Sequence, residues 1–193
     1  MVERDWSSDV CSSDLELDLN AYEWAWPSTR SVDSPWFIIA DDFVGTGNTI
    51  SKLMATPDAP LNRFIRKMPH AQLRFLIVAG FEDGIRKIRA AASVSFGNNA
   101  KVSVARLFNR HDRCFDSSSR ILSTPSQQAA LRDFCFELGT KKLKRLPTDM
   151  YLGFESFASL VVLADTVPND SLPMLWCQGD SWYPLFPAAG LPG

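Results

Sequence analysis

The chain has 193 residues, enough for one domain with a sizeable core, and its 46% hydrophobic and 22% charged content is ordinary for a soluble globular protein. A formal net charge of −2 gives no footing for a nucleic-acid or membrane partner, and no apolar run nears the roughly 18–20 residues that span a bilayer. The start lacks the basic and apolar regions of a signal peptide, and Cys11, Cys114, Cys135 and Cys177 lack metal-ligand spacing, so a reduced, cytoplasmic setting is expected.

Residues 5–15 read DWSSDVCSSDL, with no useful period and no likeness to the rest of the chain. They resemble the in-frame translation of a common short-read sequencing adapter along their whole length. Residues 1–15 are therefore set aside from the fold, and the natural N-terminal part is expected to be missing. Residues 16–193 read as one domain. ELDLNAYEWAW (16–26) suits one or two helical turns, and Pro27 and Pro35 bracket a loop. WFIIA (36–40) is a short, fully apolar run, as in a buried parallel strand. A helix opens at Thr49 and runs to about Met54. Pro57 and Pro60 interrupt it, and LNRFIRKM then puts Leu61, Phe64, Ile65 and Met68 on one helical face.

LRFLIVA (73–79) is a second strand, FEDGIRKIRAAAS (81–93) an amphipathic helix, and AKVSVARL (100–107) a third strand with clean alternation. Residues 120–125 form a loop. Residues 126–143 form a helix with Ala129, Ala130, Phe134 and Leu138 on one face, and SFASLVVLA (156–164) is a fourth strand. The rest, from Asn169 on, is rich in Pro, Gly and Trp without a period, so an ordered loop packed by its aromatics is expected. Strands alternating with helices mean βαβ units and a mostly parallel sheet, an α/β domain with an irregular Trp/Pro-rich C-terminal segment.

Residues 37–50 read FIIADDFVGTGNTI. In open parallel sheets ligands sit at the carboxyl ends of the strands, where Asp41 and Asp42 fall. Two adjacent carboxylates are costly to bury, so they must reach solvent, a cation or a hydroxyl-rich ligand. Gly45 and Gly47 allow positive φ and a close backbone approach. The helix that follows opens with unpaired N–H groups that favour an anion. Thr46 and Thr49 add hydroxyls. Hydroxyls on the Asp side and a phosphate on the loop side describe a sugar phosphate.

FIIADDFVGTGNT resembles the phosphoribosyl pyrophosphate motif of type I phosphoribosyltransferases: four apolar residues, two acidic ones, three variable positions, then Thr-Gly-x-Thr. The ending TVPNDSLPMLW with W-YPLFP resembles the C-terminal signature of a phosphoribosyltransferase-like family of bacterial conflict (anti-phage) systems. Here those stretches are residues 168–176 and 182–187. Together the likeness spans residues 36–187 and implies a Rossmann-like parallel-sheet domain, truncated at its front. It implies that Asp41 and Asp42 bind the ribose hydroxyls, and that Gly45, Thr46, Gly47, Asn48 and Thr49 cradle the 5′-phosphate. Mg2+ would arrive with the pyrophosphate, without a dedicated protein cage. Ala188 stands where the family would suggest a basic residue, and AAGLPG is read as a second sequence-end artefact.

Other candidates weigh less. Asn169, Asp170 and Trp176 are candidates for a lip over the site, with Trp176 or Trp182 stacking on a base. The preferred alternative is that these aromatics pin the tail to the core. His111, with Arg110 and Arg113, reads as a solvated loop, and KKLKR (141–145) as a cationic helix end. Two functions share the same cradle. One is an enzyme that transfers a phosphoribosyl group or cleaves a related nucleotide in a defence setting, with defence-system proteins as expected partners. The other is a non-catalytic sensor of a nucleotide or sugar phosphate. Residues 16–36 are too few for the pyrophosphate loop and hood that the family places before the motif, so the chain as given is expected to lack transferase activity.

Overall fold

The computed structural model describes residues 36–186 apart from 144 and 165, and leaves the side chains of Pro60 and Phe64 aside. The adapter-like stretch, the expected helical turns at 16–26, the loop bracketed by Pro27 and Pro35, the face position of Phe64 and the end from Pro187 lie outside the described residues. The chain divides into two compact units, one ending at Leu107 and the other beginning at Phe108.

The first unit is built on three strands, β1 (Trp36–Val44), β2 (Gln72–Phe81) and β3 (Ala100–Phe108), in the order β1-β2-β3. β1 and β2 pair in parallel, from Trp36 opposite Gln72 to Val44 opposite Gly80. The connections carry α1 (Asn48–Ala55), α2 (Pro60–Lys67) and α3 (Glu82–Phe96). Strand alternation sends Ile39, Leu73, Phe75, Ile77 and Val102 into a core with Ile50, Met54, Leu61, Ile85 and Ile88. Each such side chain contributes about 1.5–3 kcal/mol when fully buried. On α3, Ile85, Ile88 and Ala92 recur at helical spacing, and Glu82 and Asp83 suit the positive end of its dipole. Asn62 ties α2 to the end of α1, its side-chain amide donating to the Met54 and Thr56 carbonyls at 2.7 and 2.6 Å.

β1 runs four residues past the expected end at Ala40. Phe43 and Val44 resume the apolar pattern and pair with Ala79 and Gly80, and Phe43 meets the Phe81 ring edge-on at 6.1 Å. The two aspartates therefore lie inside the strand.

The second unit holds one long helix, α4 (Pro125–Lys141), and several short 3-10 turns. Thr124 and Gln127 cap α4 reciprocally, with Pro125 in its first turn. Its buried face is Cys135, Leu138 and Gly139 with Leu131 beside them, whereas Ala129, Ala130 and Phe134 are exposed. The expected face is thus only right at Leu138. Alanines are too small to mark a side, and Phe134 instead meets Trp182 edge-on at 6.1 Å.

The expected fourth strand at 156–164 does not form. Its only ladder contact is an isolated parallel bridge between Ser159 and Ser171. Glu155, Ser156 and Ala158 take φ of 52°, 56° and 57°, left-handed values that no strand tolerates. A short apolar run is equally compatible with buried irregular chain, and here Ala158 joins Cys114, Cys135, Leu152 and Leu172 in the core of this unit.

Candidate functional site

The candidate site begins on β1. Burial alternates along the strand, leaving Asp42 exposed and Asp41 half-buried. Burial pushes the Asp41 carboxyl up to about 6, and the neighbouring Asp42 charge adds to the rise, while the Phe43 N–H works against it. One carboxyl of the pair is therefore held within reach of its proton near neutral pH. Both aspartates also border a shallow concave surface of about 590 Å³ across β1, β2 and β3, with Leu76, Val78 and Ser103 among its other lining residues. The loop after β1 does not line that surface.

Of the two loop glycines, only Gly47 has a positive φ, at 71°, where it forms the N-cap of α1. A Cβ on Gly47 would lie 2.6 Å from the carbonyl oxygen of Gly84, in the first turn of α3. A Cβ on Gly84 would lie 2.2 Å from the Gly45 oxygen. Gly45 therefore serves close packing rather than an unusual φ, and the loop is clamped backbone to backbone against α3. Asn48 N–H reaches the Thr46 hydroxyl at 3.4 Å, and Ser51 N–H bonds the Gly47 carbonyl at 3.1 Å. The first turn of α1 carries no acidic side chain. Its leading N–H groups have no acceptor within the helix and lie at the positive end of the dipole. Thr49 is exposed beside them.

Lys87 was not legible as part of this site. It lies 39 residues from Asn48, yet its ammonium meets the Asn48 side-chain oxygen. Gly84, one turn earlier on α3, makes that approach possible. A lysine on a helix face carries no sequence signal of its own. A glycine in the first turn of a helix is the one hint of close packing there.

Asn169 and Trp176 belong to the second unit. Trp176 is only 7% exposed and donates its indole N–H to the Ser171 carbonyl at 3.2 Å. That is the packing role preferred on sequence grounds, and it leaves the ring within the core. The Asn169 carbonyl accepts from Phe154 N–H at 2.9 Å. Beside it, Asp170 is 7% exposed, and its Oδ1 lacks a hydrogen-bond partner. Burial pushes Asp170 up to about 7, Glu155 adds to the rise, and Arg113 opposes it. The left-handed turn at 153–158 wraps this segment: a Cβ on Gly153 would lie 2.6 Å from the Asp170 carbonyl oxygen.

His111 sits in a 3-10 turn, its Nδ1 3.0 Å from the Ser118 carbonyl, and Arg113 stacks 3.8 Å over Phe157. Lys141 pairs with Glu137 at 2.6 Å in the last turn of α4. Cys114 and Cys135 are buried free thiols pushed by desolvation to about 12 and about 11. Among the described residues no group of three or more His, Cys, Asp or Glu is placed to hold a metal, and no helix is long and apolar enough to cross a membrane.

A parallel sheet whose first strand runs through paired carboxylates into a glycine loop and a helix start defines a phosphoribosyltransferase-like α/β domain. The family model PRTase-CE matches residues 10–188, and the chain belongs to that family. No curated protein and no solved structure matches the chain.

Proposed function

We propose that residues 41–49 form a cradle for a ribose 5-phosphate, presented as phosphoribosyl pyrophosphate or a related nucleotide. Asp41 and Asp42 accept hydrogen bonds from the ribose 2′- and 3′-hydroxyls. The N–H groups of Gly47, Asn48 and Thr49 and the hydroxyls of Thr46 and Thr49 receive the 5′-phosphate. The observation that carries this reading is the continuity of the two half-sites: carboxylates, tight loop and helix start follow within nine residues of one clamped segment. Lys87 adds a cation at the loop. Mg2+ suits the hard oxygens that the carboxylates and a pyrophosphate would supply together, and would be carried by the substrate.

In the intact protein the cradle would serve phosphoribosyl transfer to an acceptor. An oxocarbenium-like transition state would be stabilised by positioning and electrostatics rather than by a covalent nucleophile. The setting we propose is bacterial anti-phage defence, supported by the likeness of residues 168–176 and 182–187 to that group's tail signature.

Titration calorimetry with ribose 5-phosphate tests the cradle. The wild-type chain should give a saturable heat, and the Asp41→Asn/Asp42→Asn variant should bind at least about tenfold more weakly, the loss of two charge-assisted hydrogen bonds. Equal heats from the two proteins would remove the proposed site.

A further inference from the structure

Lys87 is held in a place that its charge does not favour. Its side chain is exposed on α3, yet the ammonium meets the Asn48 side-chain oxygen at the first residue of α1. A helix start is the positive end of the dipole, so a cation beside it is repelled. No acid offsets this: the first turn of α1 carries none, and Asn48 is neutral. A carboxylate stands one turn before Lys87, at a spacing that commonly pairs, but Asp83 holds Arg86 at 2.7 Å. Among the described residues, no carboxylate lies within ion-pair distance of Lys87. The backbone enforces the approach. The contact of Gly84 with Gly45 and Gly47 fixes α3 against the loop, and Lys87 lies on the same helix face as Gly84. Two positive features thus converge on one spot, and an anion between them would satisfy both.

We propose that Lys87 is a specificity-determining residue of the cradle, selecting a terminal phosphate monoester over a phosphodiester. This inference rests on the ribose-phosphate reading of residues 41–49. The magnitudes favour it. The start of a helix is worth about half a positive charge, whereas a phosphate monoester carries about −1.5 to −2 near neutral pH. The Thr46 and Thr49 hydroxyls add dipoles and no charge. A diester carries a single negative charge, which the helix start offsets far better on its own. The second charge of the monoester needs a full cation, and Lys87 is aimed at the helix start. Lys52, the basic residue within α1, stands in its last turn, at the opposite end. Asn48 positions the ammonium without cancelling its charge, a role that an aspartate could not fill.

Titration calorimetry of the full chain at pH 7.5, with ribose 5-phosphate and with its methyl phosphodiester, tests this. The wild type should prefer the monoester by at least about tenfold. Lys87→Met should bind the monoester at least about tenfold more weakly while losing little affinity for the diester. Lys87→Arg should keep the preference. An equal preference in the wild type and Lys87→Met would overturn the inference and leave the cradle standing. No heat from the wild type with either ligand would overturn both. Thermal melts without ligand separate a binding role from a structural one. Lys87→Met removes a cation from the positive end of α1, so it should melt no lower than the wild type. A lower melting temperature would assign Lys87 to holding α1 and α3 together and would overturn the proposal.

Discussion

Asp41 is placed where burial works against its charged form. Its carboxyl stands at about 6 in the folded chain against an ordinary value of 3.8. A folded value raised above the unfolded one means that the neutral acid is favoured by folding. That contribution is complete below about pH 4 and is lost as pH rises through about 6. The Asp41→Asn variant should therefore be more stable than wild type at pH 7.5, by about 1 kcal/mol once the solvent reaching this half-buried group is discounted. Thermal melts from pH 4 to 8 check this: the two proteins should converge at the acid end and separate above pH 6. Asp170 follows the same sign over a window reaching to about pH 7. Asp170→Asn should give the larger gain at pH 8, about 2–3 kcal/mol, because that side chain is almost fully buried. A gain at both positions would mark two carboxylates kept at a cost to stability. Of these, the Asp41–Asp42 pair was legible as two adjacent acids after an apolar run. The burial of Asp170 was not, since its neighbours Glu155 and Arg113 come from distant parts of the sequence.

At the scale of elements, the apolar runs of β1 and β2, the alternation of β3 and the amphipathic pattern of α3 were readable, because each places several apolar residues in a pattern that only one kind of element satisfies. What failed were short runs with no partner in view. SFASLVVLA has a strand's composition, but no adjacent strand is present among the described residues to pair with it, and the left-handed residues at 155, 156 and 158 deny it an extended backbone. The face of α4 was misjudged because Ala129 and Ala130 carry too little area to decide a side. The contact between the loop and α3 was likewise invisible, since it consists of backbone alone. It makes a definite prediction. Gly84→Ala would drive a methyl into the Gly45 carbonyl, and Gly47→Ala would add a left-handed alanine to a similar clash. Each should cost about 2–3 kcal/mol and lower the melting temperature. The α3 substitution should also weaken ribose 5-phosphate in calorimetry, although Gly84 lies outside the stretch that resembles the phosphate motif.

For the whole chain, the two compact units have separate cores. Ile88 is fully buried in the first and Leu172 in the second, and neither core draws on the other unit's residues. Ile88→Ala and Leu172→Ala should each cost about 2–5 kcal/mol. In scanning calorimetry each should lower a different transition, and a single transition moved equally by both would show the units to unfold as one. Residues 108–124 carry no Gly or Pro, so the sequence alone marks no boundary between the two units.

The glycine clamp has a bearing on descent as well as on shape. Gly47 and Gly84 exclude side chains from the same small space, so neither position can gain a methyl while the other keeps its place. In a lineage, the first mutation at either would be punished before any second change could compensate. The two codons should therefore be inherited as a pair, and relatives that have lost one glycine should also have rebuilt the other's helix turn. A loop held this way changes by replacement of the whole loop and helix contact, and drifts very little one residue at a time.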